Sequence, residues 1–88
     1  MRLEEIRKNI DEIDAQLIEL IKRRLACSKQ VAEFKHDNNM QVFDAAREKA
    51  ILAALGEKAG DDRPAVELIW QTLMEQIRAR QYPFNDSR

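Results

Sequence analysis

Eighty-eight residues carry 15 basic and 16 acidic side chains, interleaved along the chain, for a formal net charge of −1. A chain this short makes one domain near the lower limit for a self-sufficient core, and such chains often gain stability by oligomerising. With no basic face or charged arm, nucleic acid and anionic membranes are poor partners, and the lack of any long apolar run argues against a membrane span or signal peptide, so the expected setting is soluble and cytoplasmic.

Only two glycines and two prolines interrupt the chain, and the long first half offers few breakers. Leu3, Ile6, Ile10, Ile13, Leu17 and Leu20 recur at steps of three and four, the seam of an amphipathic helix. This periodicity predicts a first helix from about Leu3 to Lys35, roughly 50 Å long. The next position in register is Arg24, after which Cys27, Val31 and Phe34 resume the stripe. A charge on that seam is costly unless it pairs with a carboxylate of the protein, reaches water along its stem, or meets an anionic ligand. Cys27, the one cysteine, can form no internal disulfide and reads as a buried thiol in a reducing compartment.

His36 to Val42 lacks periodicity and reads as a loop, with His36 exposed to solvent. Asp44 is placed to cap a second helix running to about Lys58, whose apolar positions are Ala50, Ile51, Ala54 and Leu55 and whose end Gly56 and Gly60 loosen. The run Asp61, Asp62, Arg63, Pro64 is a helix-start signature, and a third helix follows to about Tyr82, where Pro83 stops it. Val66, Ile69, Trp70, Leu73 and Ile77 form its apolar face. The prediction is a single all-α domain over 1–88, with three helices, a core from about 3 to 82 and a frayed tail over 83–88.

Two short helices cover only part of a helix as long as the first, and Ile18 and Ile21 widen its apolar surface. A second copy of the chain is the simplest cover, which predicts an obligate homodimer. Arg24 and Lys35 share a helix face about 16 Å apart along the axis. Arg47 and Glu48 sit at the border of the second helix's buried face, and Gln81 occupies a seam position on the third. Each has an ordinary reading as a solvated, capping or terminal residue. Arg7 lies about 25 Å from Arg24, too far to share a ligand within one chain. An antiparallel pairing of first helices near Glu19 would bring residue 7 of one chain opposite residue 31 of the other. Such a dimer would gather Arg24, Lys35, Arg47, Glu48 and Gln81 with Arg7 of the partner subunit. Several cations, one carboxylate and one amide suit a small, multiply anionic, hydroxylated ligand. No glycine-rich phosphate loop, metal-ligand cluster or nucleophile and base pair is present, so neither a metal, a cofactor nor covalent chemistry is expected.

The pattern Leu3-x-x-Ile6-Arg7-x-x-Ile10-Asp11-x-Ile13-Asp14, then Arg24, Val31-Ala32-x-x-Lys35, Asp44-x-x-Arg47-Glu48 and Gln81 closely resembles the all-helical chorismate mutase family. The likeness covers nearly the whole chain, from Leu3 to Gln81, without a large gap. It implies an intertwined dimer with two equivalent sites that converts chorismate to prephenate on the route to phenylalanine and tyrosine. It further implies that Arg24 and Arg7 of the partner subunit bind the substrate carboxylates. Lys35 and Gln81 would face the ether oxygen, while Glu48, with Arg47 and the backbone around Asp44, would hold the ring hydroxyl. Ile77 departs from the pattern, standing where many members carry a small hydroxyl residue that contacts a carboxylate. Two alternatives therefore stay open, an isochorismate pyruvate lyase and a mutase acting on 4-amino-4-deoxychorismate; a hypothesis of a different class is a helical dimerisation or regulatory module without catalysis. Glu48 favours a mutase over the lyase, since its carboxylate suits a ring hydroxyl or amine.

Overall fold

The computed structural model describes residues 2–80, all helix and connecting turn, with no strand among them. Helix α1 spans Arg2–Asp37, α2 spans Ala45–Ala59 and α3 spans Arg63–Arg80. A single 3-10 turn, Gly60–Asp62, joins α2 to α3 with no loop between. The fold thus counts as two helical bodies, one long and one bent, in place of the three separated helices expected. The expected limits of the third helix at Tyr82 and Pro83, and the tail over 83–88, lie outside the described residues.

The ends of the helices follow from local chemistry. Asn39 adopts a left-handed conformation, φ 55°, just past the end of α1. Its amide donates to the His36 carbonyl at 3.2 Å, and the Met40 amide donates to the Lys35 carbonyl at 2.7 Å. These are the paired bonds of a Schellman ending, which satisfy carbonyls the helix would otherwise leave bare. Asparagine tolerates the left-handed region better than most residues, so the asparagine-rich stretch stops the helix here. His36 lies inside the last turn of α1 and is half-buried, which corrects the expectation of an exposed loop residue.

At the start of α2, the Asp44 carboxylate Oδ1 accepts from the Arg47 amide at 2.9 Å, as an N-cap should. At its end Gly60 has φ 58° and ψ −125°, a region essentially closed to side-chain-bearing residues. Gly56 plays a different part from the helix-loosening one expected. It is the buried residue of α2, and a Cβ there would stand 2.7 Å from Arg63 Nε and 3.0 Å from Glu67 Oε2. Its bareness lets the Arg63–Glu67 ion pair of α3 lie against α2.

The chain divides into two compact units, Met1–Gln30 and Val31–Arg88. In the second, Ala32, Val42, Met74 and Ile77 form the buried apolar set. Half-buried Ile51, Leu52 and Leu55 on α2 and Val66, Trp70 and Leu73 on α3 surround it in burial. The expected core faces hold in part: Ile51 and Leu55 on α2 and Val66, Trp70, Leu73 and Ile77 on α3 are covered as expected. On α2, Ala50 and Ala54 are exposed, and on α3 Ile69 is exposed while Met74 is buried. Near the end of α1, Ala32 is only 1% exposed, whereas Val31 and Phe34 are exposed.

The first unit has a different character. Leu3, Ile6, Ile10, Ile13, Leu17, Ile18, Leu20 and Ile21 are all between 42% and 55% exposed. Cys27, expected in a core, is exposed as well. The stripe is apolar as read from the sequence, and among the described residues its side chains stand about half exposed.

Candidate active site

Most of the expected site residues that the structure describes in the second unit gather around the short segment Val42, Phe43, Asp44. Lys35 stands in the last turn of α1, and its side chain is 17% exposed. The Schellman turn doubles the chain back so that Lys35 Nζ donates to the Val42 carbonyl at 3.4 Å and lies 3.9 Å from Asp44 Oδ2. The Asp44 carboxylate is thereby divided, one oxygen capping α2 and the other facing the ammonium. An ammonium has three donors; one is given to the Val42 carbonyl, and the ion pair with Asp44 is too long for a hydrogen bond, so two remain for a ligand.

Glu48 sits in the first turn of α2, where the helix dipole favours a negative charge. Its Oε1 accepts from Arg78 Nη1 in a half-buried ion pair. The Arg78 guanidinium also lies 5.4 Å from the centroid of the Phe43 ring, within cation–π range. Two pairs of a cation and a carboxylate thus meet the segment 42–44: Lys35 with Asp44, and Arg78, which lies over Phe43, with Glu48. Fixed donors and acceptors of this kind can bind a polar, anionic molecule without supplying a nucleophile.

Arg78 was missed in the sequence. It follows Trp70 and Met74 at steps of four, so the covered face of α3 continues through it, and Met74 was the residue whose burial would have revealed this. Arg47 contributes its amide to the cap while its side chain is exposed. Arg7 and Arg24 belong to the first unit. Arg7 is exposed and Arg24 half-buried, and neither forms an ion pair with a carboxylate among the described residues. Gln81 lies outside the described residues. Among the described residues no group of histidine, cysteine and acidic side chains could hold a metal, and no helix is long and apolar enough to cross a membrane.

Comparison with known proteins decides the family. Chorismate mutase type II matches over residues 6–82. The chain belongs to the type II chorismate mutase family. It is 37% identical over 83 residues to a chorismate mutase of Methanocaldococcus jannaschii, covering 91% of this chain and 84% of that one. It is also 32% identical over 85 residues to the T-protein of Haemophilus influenzae, covering 93% of this chain but 22% of that protein. The chain thus spans about a fifth of the T-protein it matches. No solved structure gives a significant match.

Ile77 is the position expected from the sequence to depart from the family's pattern. It is 8% exposed, part of the apolar core of the second unit, and offers no hydrogen-bonding group of its side chain.

Proposed function

We propose that this chain is a chorismate mutase, converting chorismate to prephenate as a homodimer whose sites draw on both subunits. The observation that carries this reading is the linked array Lys35, Asp44, Glu48 around residues 42–44, in a chain whose family match runs over residues 6–82. A Claisen rearrangement is unimolecular: one carbon–oxygen bond breaks as one carbon–carbon bond forms. It needs a compact conformer and stabilisation of the charge developing on the ether oxygen, with no covalent intermediate.

In this reading Lys35, with Gln81, donates to the ether oxygen as negative charge builds there. Arg24 and Arg7 of the partner subunit take the two carboxylates, and their lack of a carboxylate partner among the described residues suits that role. Glu48 accepts the ring hydroxyl, supported by Arg47 and the capped backbone around Asp44.

The dimer rests on the bare seam of α1. Eight large apolar side chains remain about half exposed there, and completing the burial of each is worth roughly 1 kcal/mol. That gross gain is comparable to the whole stability of a small domain, so a second copy of the chain seated on this stripe accounts for it. An exposed lone thiol at Cys27 fits a reducing, cytoplasmic compartment.

The test is to incubate the purified protein with chorismate, isochorismate or 4-amino-4-deoxychorismate in turn and follow the loss of each together with its product. Prephenate supports the mutase. Pyruvate with salicylate from isochorismate indicates the lyase, turnover confined to the amino analogue indicates the other mutase, and no change in any of them indicates a binding module.

A further inference from the structure

We propose that Arg78 is a positioning residue that sets the orientation of Glu48 for substrate binding, an inference that rests on the mutase reading above. Glu48 has three side-chain torsions and stands on an exposed helix start, a setting in which a carboxylate ordinarily samples many rotamers. Here its Oε1 is engaged by Arg78 Nη1. The Glu48 side chain is 24% exposed and that of Arg78 35%. That occupies one carboxylate oxygen and leaves the other as the acceptor available to a hydroxyl.

Arg78 is itself held. Its guanidinium lies over the Phe43 ring, and its helix is anchored one residue earlier by buried Ile77 and one turn earlier by buried Met74. A planar guanidinium held over a ring and hydrogen-bonded through one of its nitrogens can fix a carboxylate in a way a flexible ammonium cannot. Phe43 in turn sits between Val42 and Asp44, the two residues that contact Lys35. One short segment therefore braces both the lysine and, through Arg78, the glutamate. Arg78 acts through Glu48 and needs no contact with the substrate.

The expected effect of removing this brace follows from the disorder it prevents. Releasing a glutamate side chain costs about a factor of ten in an interaction that requires one rotamer. Arg78→Met should lower kcat/KM for chorismate about tenfold in the wild-type background and leave it nearly unchanged in the Glu48→Gln background. Arg78→Lys, which keeps the charge but loses the planar fork, should lose less than Arg78→Met. A direct contact between Arg78 and the substrate, or a merely structural role, would give the same loss in both backgrounds, and that result overturns the proposal. So does an Arg78→Met enzyme with wild-type kcat/KM. If Arg78→Met fails to fold, Arg78→Lys measured in the same two backgrounds decides between a background-dependent and a background-independent loss. Turnover by the wild-type protein reports separately on the mutase reading: without it both inferences fall, whereas turnover with a background-independent loss removes Arg78 alone.

Discussion

Replacing Lys35 by alanine separates catalysis from folding. In the folded chain the ammonium makes two long contacts, 3.4 Å to the Val42 carbonyl and 3.9 Å to the half-exposed Asp44 carboxylate. A weak hydrogen bond and a partly solvated ion pair together contribute roughly 1 kcal/mol. For a chain of this size that corresponds to a fall in Tm of about 4–8 °C. An electrostatic donor to an oxygen that becomes anionic in the transition state is worth about 3–4 kcal/mol, or about 10²–10³ in kcat. Turnover should therefore fall by hundreds while the protein still melts cooperatively and sediments as wild type does. Lys35→Met keeps the apolar stem and should lose as much turnover at a smaller cost in Tm. The assay is chorismate consumption beside a circular-dichroism melt and sedimentation of the same samples. Near-normal turnover in a folded Lys35→Ala protein refutes the role assigned to this side chain.

Other expectations follow from single positions. Gly60→Ala places a side chain at φ 58°, ψ −125° with nothing within 4 Å of its Cβ, so the cost is backbone strain alone, about 1–3 kcal/mol in a denaturant titration. Gly56→Ala should be close to neutral by the same measurement. The displaced Arg63 and Glu67 tips belong to an exposed ion pair worth under about 1 kcal/mol, and replacing a mid-helix glycine returns a similar amount. Asn39→Ala should cost about 1–2 kcal/mol through its left-handed conformation, and Asn39→Gly should not. Subunits carrying Arg7→Ala and Arg24→Ala, inactive alone, should regain one intact site per mixed dimer when exchanged. Absence of recovery after proven exchange argues against a site shared across chains.

The helix ends were the most legible part of the fold, because each rests on a residue whose local chemistry acts alone: the Asp44 cap, the asparagines after α1, Pro64 in the first turn of α3. Which side of each helix is covered was less legible. On α3 the apolar positions Ile69 and Met74 compete for the interior, and periodicity admits either; in the fold Met74 is buried and Ile69 exposed. Lys35, Asp44 and Glu48 stood out as polar residues at helix borders. Arg78 did not, since a basic residue in a last turn is an ordinary sight, and only its approach to Glu48 from 30 positions away distinguishes it. The stripe of α1 was recognisable as apolar, yet burial is a property of whatever lies against it, and Cys27 was misjudged for that reason.

The uncovered stripe of α1 also has a consequence for dosage. On the dimer proposed above, encounter of two chains is needed both to hide the stripe and to complete each site, so specific activity should decline on dilution. Co-expressed copies defective in Arg7 or Arg24 would be drawn into mixed pairs with intact ones. Each such pair would keep one intact site, so activity would fall only in proportion to the faulty copies, while a copy faulty in Arg7 and one faulty in Arg24 would restore a site between them, a complementation that a self-contained monomer could not produce.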